Sequence, residues 1–228
     1  MQLRIIGTSH IATQSIQEIT KAFAQELPQI VAVELDIERA AALWRDEKRS
    51  TSLKAILSIG VKGYLFVKIG QFAQQKLGKI AGVSPGTEMK TAMELAHHHK
   101  LEIAFIDQPI QITLRNFSKA ITWREKLRFA TDIMKGVFSP KKQLQELGLD
   151  NFDLHQVPEQ KVILAMMGQL KKKYPSIYKT LVEDRNKYMV KKLVQLVKTN
   201  PEKKILVIVG AGHKKGMEEL LHRVDLVR

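Results

Sequence analysis

Four short runs of this chain are apolar at nearly every position instead of alternating with polar ones: Leu3 to Ile6, Ile30 to Leu35, Leu101 to Ile106 and Lys204 to Val209. Runs of this kind predict strands covered on both faces, as in a parallel sheet. Between them the spacing turns helical. Ser15-Ile16-Gln17-Glu18 has the form of a capping box, Ile16, Ile19, Phe23 and Leu27 mark one apolar face behind it, and Pro28 ends the helix. Helical patterns follow over Ile37 to Glu47 and Leu53 to Ile80. The turn signal Ser84-Pro85-Gly86 then opens a helix at Thr87 that runs to about Lys100. Asp107 closes the third strand, and Pro109 suits the first turn of the next helix. From Pro109 to about Thr199 only helical spacing appears, over Trp123 to Val137, Lys141 to Leu147, Glu159 to Lys173 and Ser176 to Lys198. A last helix over Lys214 to Leu221 follows the fourth strand. The predicted fold is therefore a single α/β domain over residues 1–228: a small, mostly parallel sheet flanked by helices, with a large helical insertion or cap over 109–199 before the last strand.

The first and last strands end alike, in Gly7-Thr8-Ser9-His10 and Gly210-Ala211-Gly212-His213. Carboxyl ends of neighbouring parallel strands share a crevice, so residues far apart in sequence can meet there. Imidazole is the commonest protein metal ligand and also transfers protons near neutrality. A glycine three residues earlier lets the backbone turn sharply and leaves room for a ligand. Glu34 is the third candidate, because a carboxylate closing a wholly apolar strand is costly to bury without a partner. Its structural alternative is an ion pair with Arg39 or a lysine.

Asp36 and Glu38 read as exposed acids of a helix start. Glu88 sits at a helix start, where the dipole alone favours an acid. Asp107 reads first as a cap for the helix that Pro109 begins. Arg185 could clamp a carboxylate or steady an oxyanion through its planar fork, although helical spacing alone makes it a surface residue. His97-His98-His99 reads as structural, since adjacent helical positions diverge and histidines suit a helix carboxyl end.

Composition narrows the chemistry. There is no cysteine, which removes disulfides, thiolate metal sites and cysteine nucleophiles, so any metal here must use nitrogen or oxygen ligands. A formal net charge of +14 could draw phosphates, anionic lipid or an acidic partner. The lysines come in short scattered runs, the pattern of solvated helix faces. Few aromatic residues and no stacking or helix-turn-helix signature weigh against nucleic acid. The longest apolar stretch, Ile56 to Phe72, is broken by Lys62, Lys68 and three glycines, which argues against a spanning helix while allowing contact with a membrane surface or partner. No secretory leader precedes Leu3, so the expected location is the cytoplasm, with peripheral membrane association allowed.

Taken in order, Gly7-Thr8-Ser9-His10, Val33-Glu34-Leu35-Asp36 with Arg39, Pro85-Gly86-Thr87-Glu88-Met89, Ile106-Asp107 with Thr113-Leu114-Arg115, Asp184-Arg185-Asn186, and Val209-Gly210-Ala211-Gly212-His213 with Gly216 resemble the TraB/PrgY/GumN family. That family is related to the Tiki metalloproteases and more distantly to ChaN and erythromycin esterase-like proteins. The resemblance implies one pocket holding both histidines, a glutamate (Glu34 or Glu88) and Arg185. Tiki-like members are regarded as metal-dependent proteases. TraB-like and PrgY-like members are linked to shutting down peptide pheromone activity, and many relatives carry a membrane-anchoring region after this domain.

Two functional readings stand side by side. One is a metal-dependent, peptidase-like hydrolase: His10, His213 and Glu34 bind a divalent ion (zinc, manganese or cobalt), a second glutamate acts as base, and Arg185 holds an oxyanion or a peptide carboxylate. The other is a non-catalytic module that binds a peptide or anion in the same pocket, with the basic surface supporting association with a membrane. Self-association into a homo-oligomer is allowed by either.

Overall fold

The computed structural model describes residues 3–8, 13–46, 86–138, 160–200 and 201–224. The expected helix over Leu53 to Ile80, the apolar stretch Ile56 to Phe72, and the expected helix Lys141 to Leu147 lie outside the described residues. Strands β1 (Leu3–Thr8), β2 (Ile30–Val33), β3 (Glu102–Phe105) and β4 (Ile205–Gly210) form a parallel sheet in the order β1-β4-β2-β3. The last strand in sequence lies between the first two: Leu3 pairs with Ile205 and Thr8 with Gly210, while Ile30 and Val33 pair with Ile205 and Ile208. The expected adjacency of the first and last strands is thus present, and every residue of β2 and β4 is buried.

Side chains alternate across the sheet and build two cores. Ile6, Val31, Val33, Leu206 and Ile208 face helices α1 (Thr13–Glu26), α2 (Ile37–Trp44) and α3 (Thr87–His98), packing with Ile19, Phe23, Met89 and Met93. On the other face, Ile5, Ile30, Ala32, Ile205, Val207 and Val209 meet Met189, Leu193, Met217 and Leu221. Those four come from the long helix before β4 and the helix after it. Each of the larger side chains among them, once withdrawn from water, contributes roughly 1.5–3 kcal/mol before entropy is counted. Right-handed crossovers explain the two layers: the connections from β1 to β2 and from β2 to β3 run one way across the sheet, and the return to β4 runs the other.

The helical segment contains α4 (Ile110–Ala120), α5 (Trp123–Phe138), α6 (Gln160–Lys173) and α7 (Pro175–Tyr178), then a π-helical turn over Lys179–Glu183 that runs into α8 (Asp184–Thr199). A small third core of Phe117, Tyr174 and Ile177 holds α4, α6 and α7 together. Glu125 joins α5 to α7. Its carboxylate accepts from Thr122 N–H at 3.0 Å and from Ser176 N–H at 2.7 Å, a capping box that also fastens the start of α7. Burial raises the Glu125 pKa, but these donors outweigh it and hold the carboxyl below its ordinary value. Among the described residues no helix is long and apolar enough to cross a membrane.

Local differences from the sequence expectations have physical causes. Helix α1 begins at Thr13, so Ser15 is buried inside its first turn and does not cap it. Leu27 is 72% exposed and takes φ 46°, because the chain reverses there; Ala22 fills the core position instead. The final helix, α9 (Ala211–His222), starts directly after β4, so His213 lies in its first turn and not in a loop. Gly210 has φ −59°, open to any residue, and Gly7 lies within β1. The sharp glycine turn is absent at both places; Gly7 instead permits close approach, since a Cβ there would lie 3.2 Å from the Ala211 Cα.

Candidate functional site

The chain leaves β1 toward one face of the sheet and leaves β4 toward the other, which opens a crevice at their carboxyl ends. Glu34 follows β2 by one residue, Asp107 follows β3 by two, and His213 sits just past β4. Arg185 reaches the same place from the first turn of α8. All four were singled out from the sequence, and the structure brings them into one hydrogen-bonded cluster.

Arg185 is its centre. Nε donates to Asp107 Oδ1 at 3.0 Å and Nη2 to Asp107 Oδ2 at 2.7 Å, a two-point fork. Nη2 also donates to Glu34 Oε1. Nη1 donates to the Leu181 carbonyl at 3.3 Å and lies 3.1 Å from His213 Nε2. A guanidinium has five N–H bonds, and these contacts engage each of them. Burial disfavours the charge, yet the adjoining Glu34 and Asp107 carboxylates more than offset this and hold its pKa above the ordinary arginine value. Arg185 therefore stays cationic at any working pH. As it stands it positions both acids and the imidazole; touching a substrate anion would require Nη1 or Nη2 to give up an internal bond.

The acids are fixed from a second side. Gly210 N–H donates to Glu34 Oε2 at 2.6 Å, so β4's last residue orients the carboxylate that closes β2. Asp107 is the more deeply enclosed: Arg39 Nη1 donates to Oδ2 at 2.6 Å, and Gln108 N–H donates to Oδ1 at 2.8 Å. Its expected part as cap of α4 is taken by Asp36, whose Oδ2 accepts from Ile110 N–H at 3.3 Å while Oδ1 caps α2 through Arg39 N–H at 2.9 Å. Asp36 is consequently buried, whereas it read as an exposed acid. The expected partner of Glu34, Arg39, goes to Asp107, and Arg185 takes Glu34. Arg185 itself is mostly buried, not a surface residue.

His213 is held at both ring nitrogens. Nε2 lies 3.3 Å from Glu34 Oε1, and Nδ1 lies 2.6 Å from Asn186 Oδ1. Glu88 is buried in the first turn of α3. A helix linking parallel strands runs antiparallel to them, so this turn lies at the carboxyl end of the sheet too. His97 and His98 close α3 with exposed rings, as the structural reading expected. His10 lies outside the described residues.

Among the described residues, no group of three or more histidine, aspartate or glutamate side chains gathers as a set of metal ligands. The pair that is present nevertheless has suitable donor chemistry. Two ligands about 2.0–2.1 Å from one tetrahedral ion stand roughly 3.3 Å apart. That is the separation of His213 Nε2 and Glu34 Oε1. The other nitrogen of His213 is anchored to an amide oxygen, the usual support for a ligating imidazole. The Arg185 guanidinium contacts the same two atoms, so a shared ion and the contacts from Nη1 and Nη2 exclude each other.

Sequence reasoning missed Asn186 as part of the site. Its only signal was adjacency to Arg185 within the resembling segment. The π turn just before it had no signal in the helical spacing at all.

Fold and site together define a doubly wound α/β protein with a buried cluster of acids, arginine and histidine at the carboxyl ends of its strands. Its sequence matches the TraB/PrgY/gumN family across residues 2–225, and the chain belongs to that family. It is similar to an uncharacterized protein of Methanocaldococcus jannaschii, with 32% identity over 226 residues, covering 97% of this chain and 53% of the relative. It is also similar to TraB domain-containing proteins of Mus musculus and Homo sapiens, at 22% identity over 243 residues, covering 94% of this chain and 61% of each relative. The chain thus spans a little over half the length of these relatives.

Proposed function

We propose that the cluster is the centre of a metal-dependent, peptidase-like hydrolase acting on a peptide. The observation that carries this reading is the approach of His213 Nε2 to Glu34 Oε1, 3.3 Å apart at neighbouring strand ends. The residues that would hold the ion, zinc, manganese or cobalt, are His213, Glu34 and His10. When bound, such an ion lowers the pKa of its water and polarises a carbonyl. The protein's own residues do the rest. Gly210 N–H pins Glu34 Oε2 and leaves Oε1 toward the imidazole. Arg185 pairs with both Glu34 and Asp107, and Arg39 adds a second cation at Asp107, so each buried acid is held in the crevice by a donor of opposite charge. Glu88 is assigned the part of general base, on its burial at a helix start at the same end of the sheet.

The test uses untagged protein, a panel of peptides and mass spectrometry in the presence of each ion. New product peaks that need a divalent ion and disappear in Glu34→Gln and His213→Ala are expected. Metal content measured by plasma spectrometry should fall when His10→Ala is combined with His213→Ala. Peptide binding with no cleavage under any ion, together with unchanged metal content, would overturn this proposal in favour of a non-catalytic peptide-binding module.

A further inference from the structure

His213 Nε2 stands between incompatible neighbours. On one side, 3.1 Å away, is Arg185 Nη1, which can only donate a hydrogen bond. On the other, 3.3 Å away, is Glu34 Oε1, which as a carboxylate oxygen can only accept one. A neutral imidazole carries one proton, and its position decides which neighbour is satisfied. The remaining ring contact breaks the tie. With Asn186 Oδ1 2.6 Å from Nδ1, the proton belongs on Nδ1 and the lone pair on Nε2. A hydrogen bond from Arg185 Nη1 to Nε2 is compatible with that tautomer.

The Asn186 amide is also closely packed on its far side. Its Nδ2 packs against Gly216 on α9, where an added Cβ would lie only 2.4 Å away. Asn186 is itself buried, so the amide has little space in which to swing aside. Successive residues of α8, Arg185 and Asn186, thereby reach opposite nitrogens of one ring carried by α9.

We infer that Asn186, seated on Gly216, is a positioning residue that holds His213 as the Nδ1–H tautomer, which leaves Nε2 an acceptor facing Arg185 Nη1 beside Glu34. The inference rests on the reading of His213 as a working group of the site. An imidazole fixed this way keeps Nε2 an acceptor, which a metal ion or a substrate proton could take by displacing Arg185 Nη1, whereas the other tautomer would turn an N–H toward Glu34 and present no acceptor there.

The experiment is performed on the full chain with ¹⁵N-labelled histidine, freed of metal by chelation, at a pH where the ring is neutral. Long-range ¹H–¹⁵N correlations distinguish the tautomers, and the His213 signals are those that vanish in His213→Gln. The wild type is expected as Nδ1–H. Asn186→Asp, which keeps an acceptor, should retain that form. Asn186→Leu should move the balance toward Nε2–H by about tenfold, the worth of one ordinary hydrogen bond. Gly216→Ala should shift it in the same direction by less. A wild-type ring found as Nε2–H, or an unchanged balance in both Asn186→Leu and Gly216→Ala, overturns the inference. The measurement needs neither substrate nor ion, so a failure to find hydrolysis would leave it standing, and its own failure would leave the hydrolase proposal open to the cleavage test.

Discussion

The two ends of the same sheet carry the same kinds of charge in different surroundings. At the amino ends of the strands, Arg4 pairs with Glu26 and Lys203 Nζ with Glu102 Oε2 at 2.9 Å; the Lys203 and Glu102 side chains are 41% and 49% exposed. At the carboxyl ends, the Arg185 and Asp107 side chains are only 15% and 1% exposed. Solvent replaces a lost partner at the first end. At the second nothing does, so each acid depends on a specific donor and removal of one donor is felt by several groups. The difference separates ion pairs that decorate the fold from ion pairs that define a site.

The largest test of that contrast is Arg185→Met. It leaves Glu34 and Asp107 in the core without their shared cation, and breaking a buried pair by removing one partner typically costs about 3–5 kcal/mol. Denaturant titration is expected to show a loss in that range. A loss under about 1 kcal/mol would place the cluster with the amino-end pairs and undo the distinction. Glu34→Gln comes next. Its amide oxygen can still accept from Gly210 N–H, but its NH2 would meet the donors of Arg185, a mismatch worth roughly 1–3 kcal/mol. The same titration measures it, and a change indistinguishable from zero would show that the Arg185 contact to Oε1 does not form in solution.

Legibility in the sequence follows the same division. Strands β2 and β4 were readable because burial on both faces leaves no polar position between Ile30 and Val33 or between Ile205 and Val209. Against that background Glu34 stood out as an acid in an apolar strand end, and the repeated Gly-x-x-His marked the ends of β1 and β4. Arg185 was legible as a residue but not as a buried one. The π turn over Lys179–Glu183 adds a residue to the winding, so the face that Ser176 to Lys198 would present as one regular helix changes phase just before Arg185. Asp36, read as an exposed helix-start acid, took the capping role expected of Asp107, because both follow strands and precede helices. Only the three-dimensional position of Arg39 and Arg185 decides which acid caps and which pairs. Asn186 was legible only as a member of the segment Asp184-Arg185-Asn186, because its contact with Gly216, thirty residues away in sequence, exists only in space.

A smaller effect tests a buried acid that lies away from the arginine cluster. The Glu125 carboxyl is held below its ordinary value of 4.5 by donors on Thr122 and Ser176 that outweigh burial. A depressed folded pKa contributes stability that is present above the unfolded value and is lost as pH falls through the folded one. Glu125→Gln should therefore cost roughly 1 kcal/mol near neutrality, with the gap to wild type closing on acidification below the ordinary carboxylate range. Denaturation midpoints of both proteins across that range check the sign. A gap that widened in acid would mean that the carboxyl is not stabilised in its charged form.

The smallest effect belongs to the exposed end. For Lys203→Met and Glu102→Gln, singly and together, a double-mutant cycle should return a coupling of about 0–0.5 kcal/mol, because water and salt screen both partners and holding two long side chains costs entropy. Raising the ionic strength should erase what coupling there is. The corresponding cycle on Arg39→Met and Asp107→Asn should keep most of its coupling in the same salt, since Asp107 is enclosed and counter-ions cannot reach it. If the two cycles fade together, the carboxyl-end cluster is open to solvent. The crevice would then be a hydrated surface and not a preorganised site, and the fixed geometry around His213 would lose its physical basis.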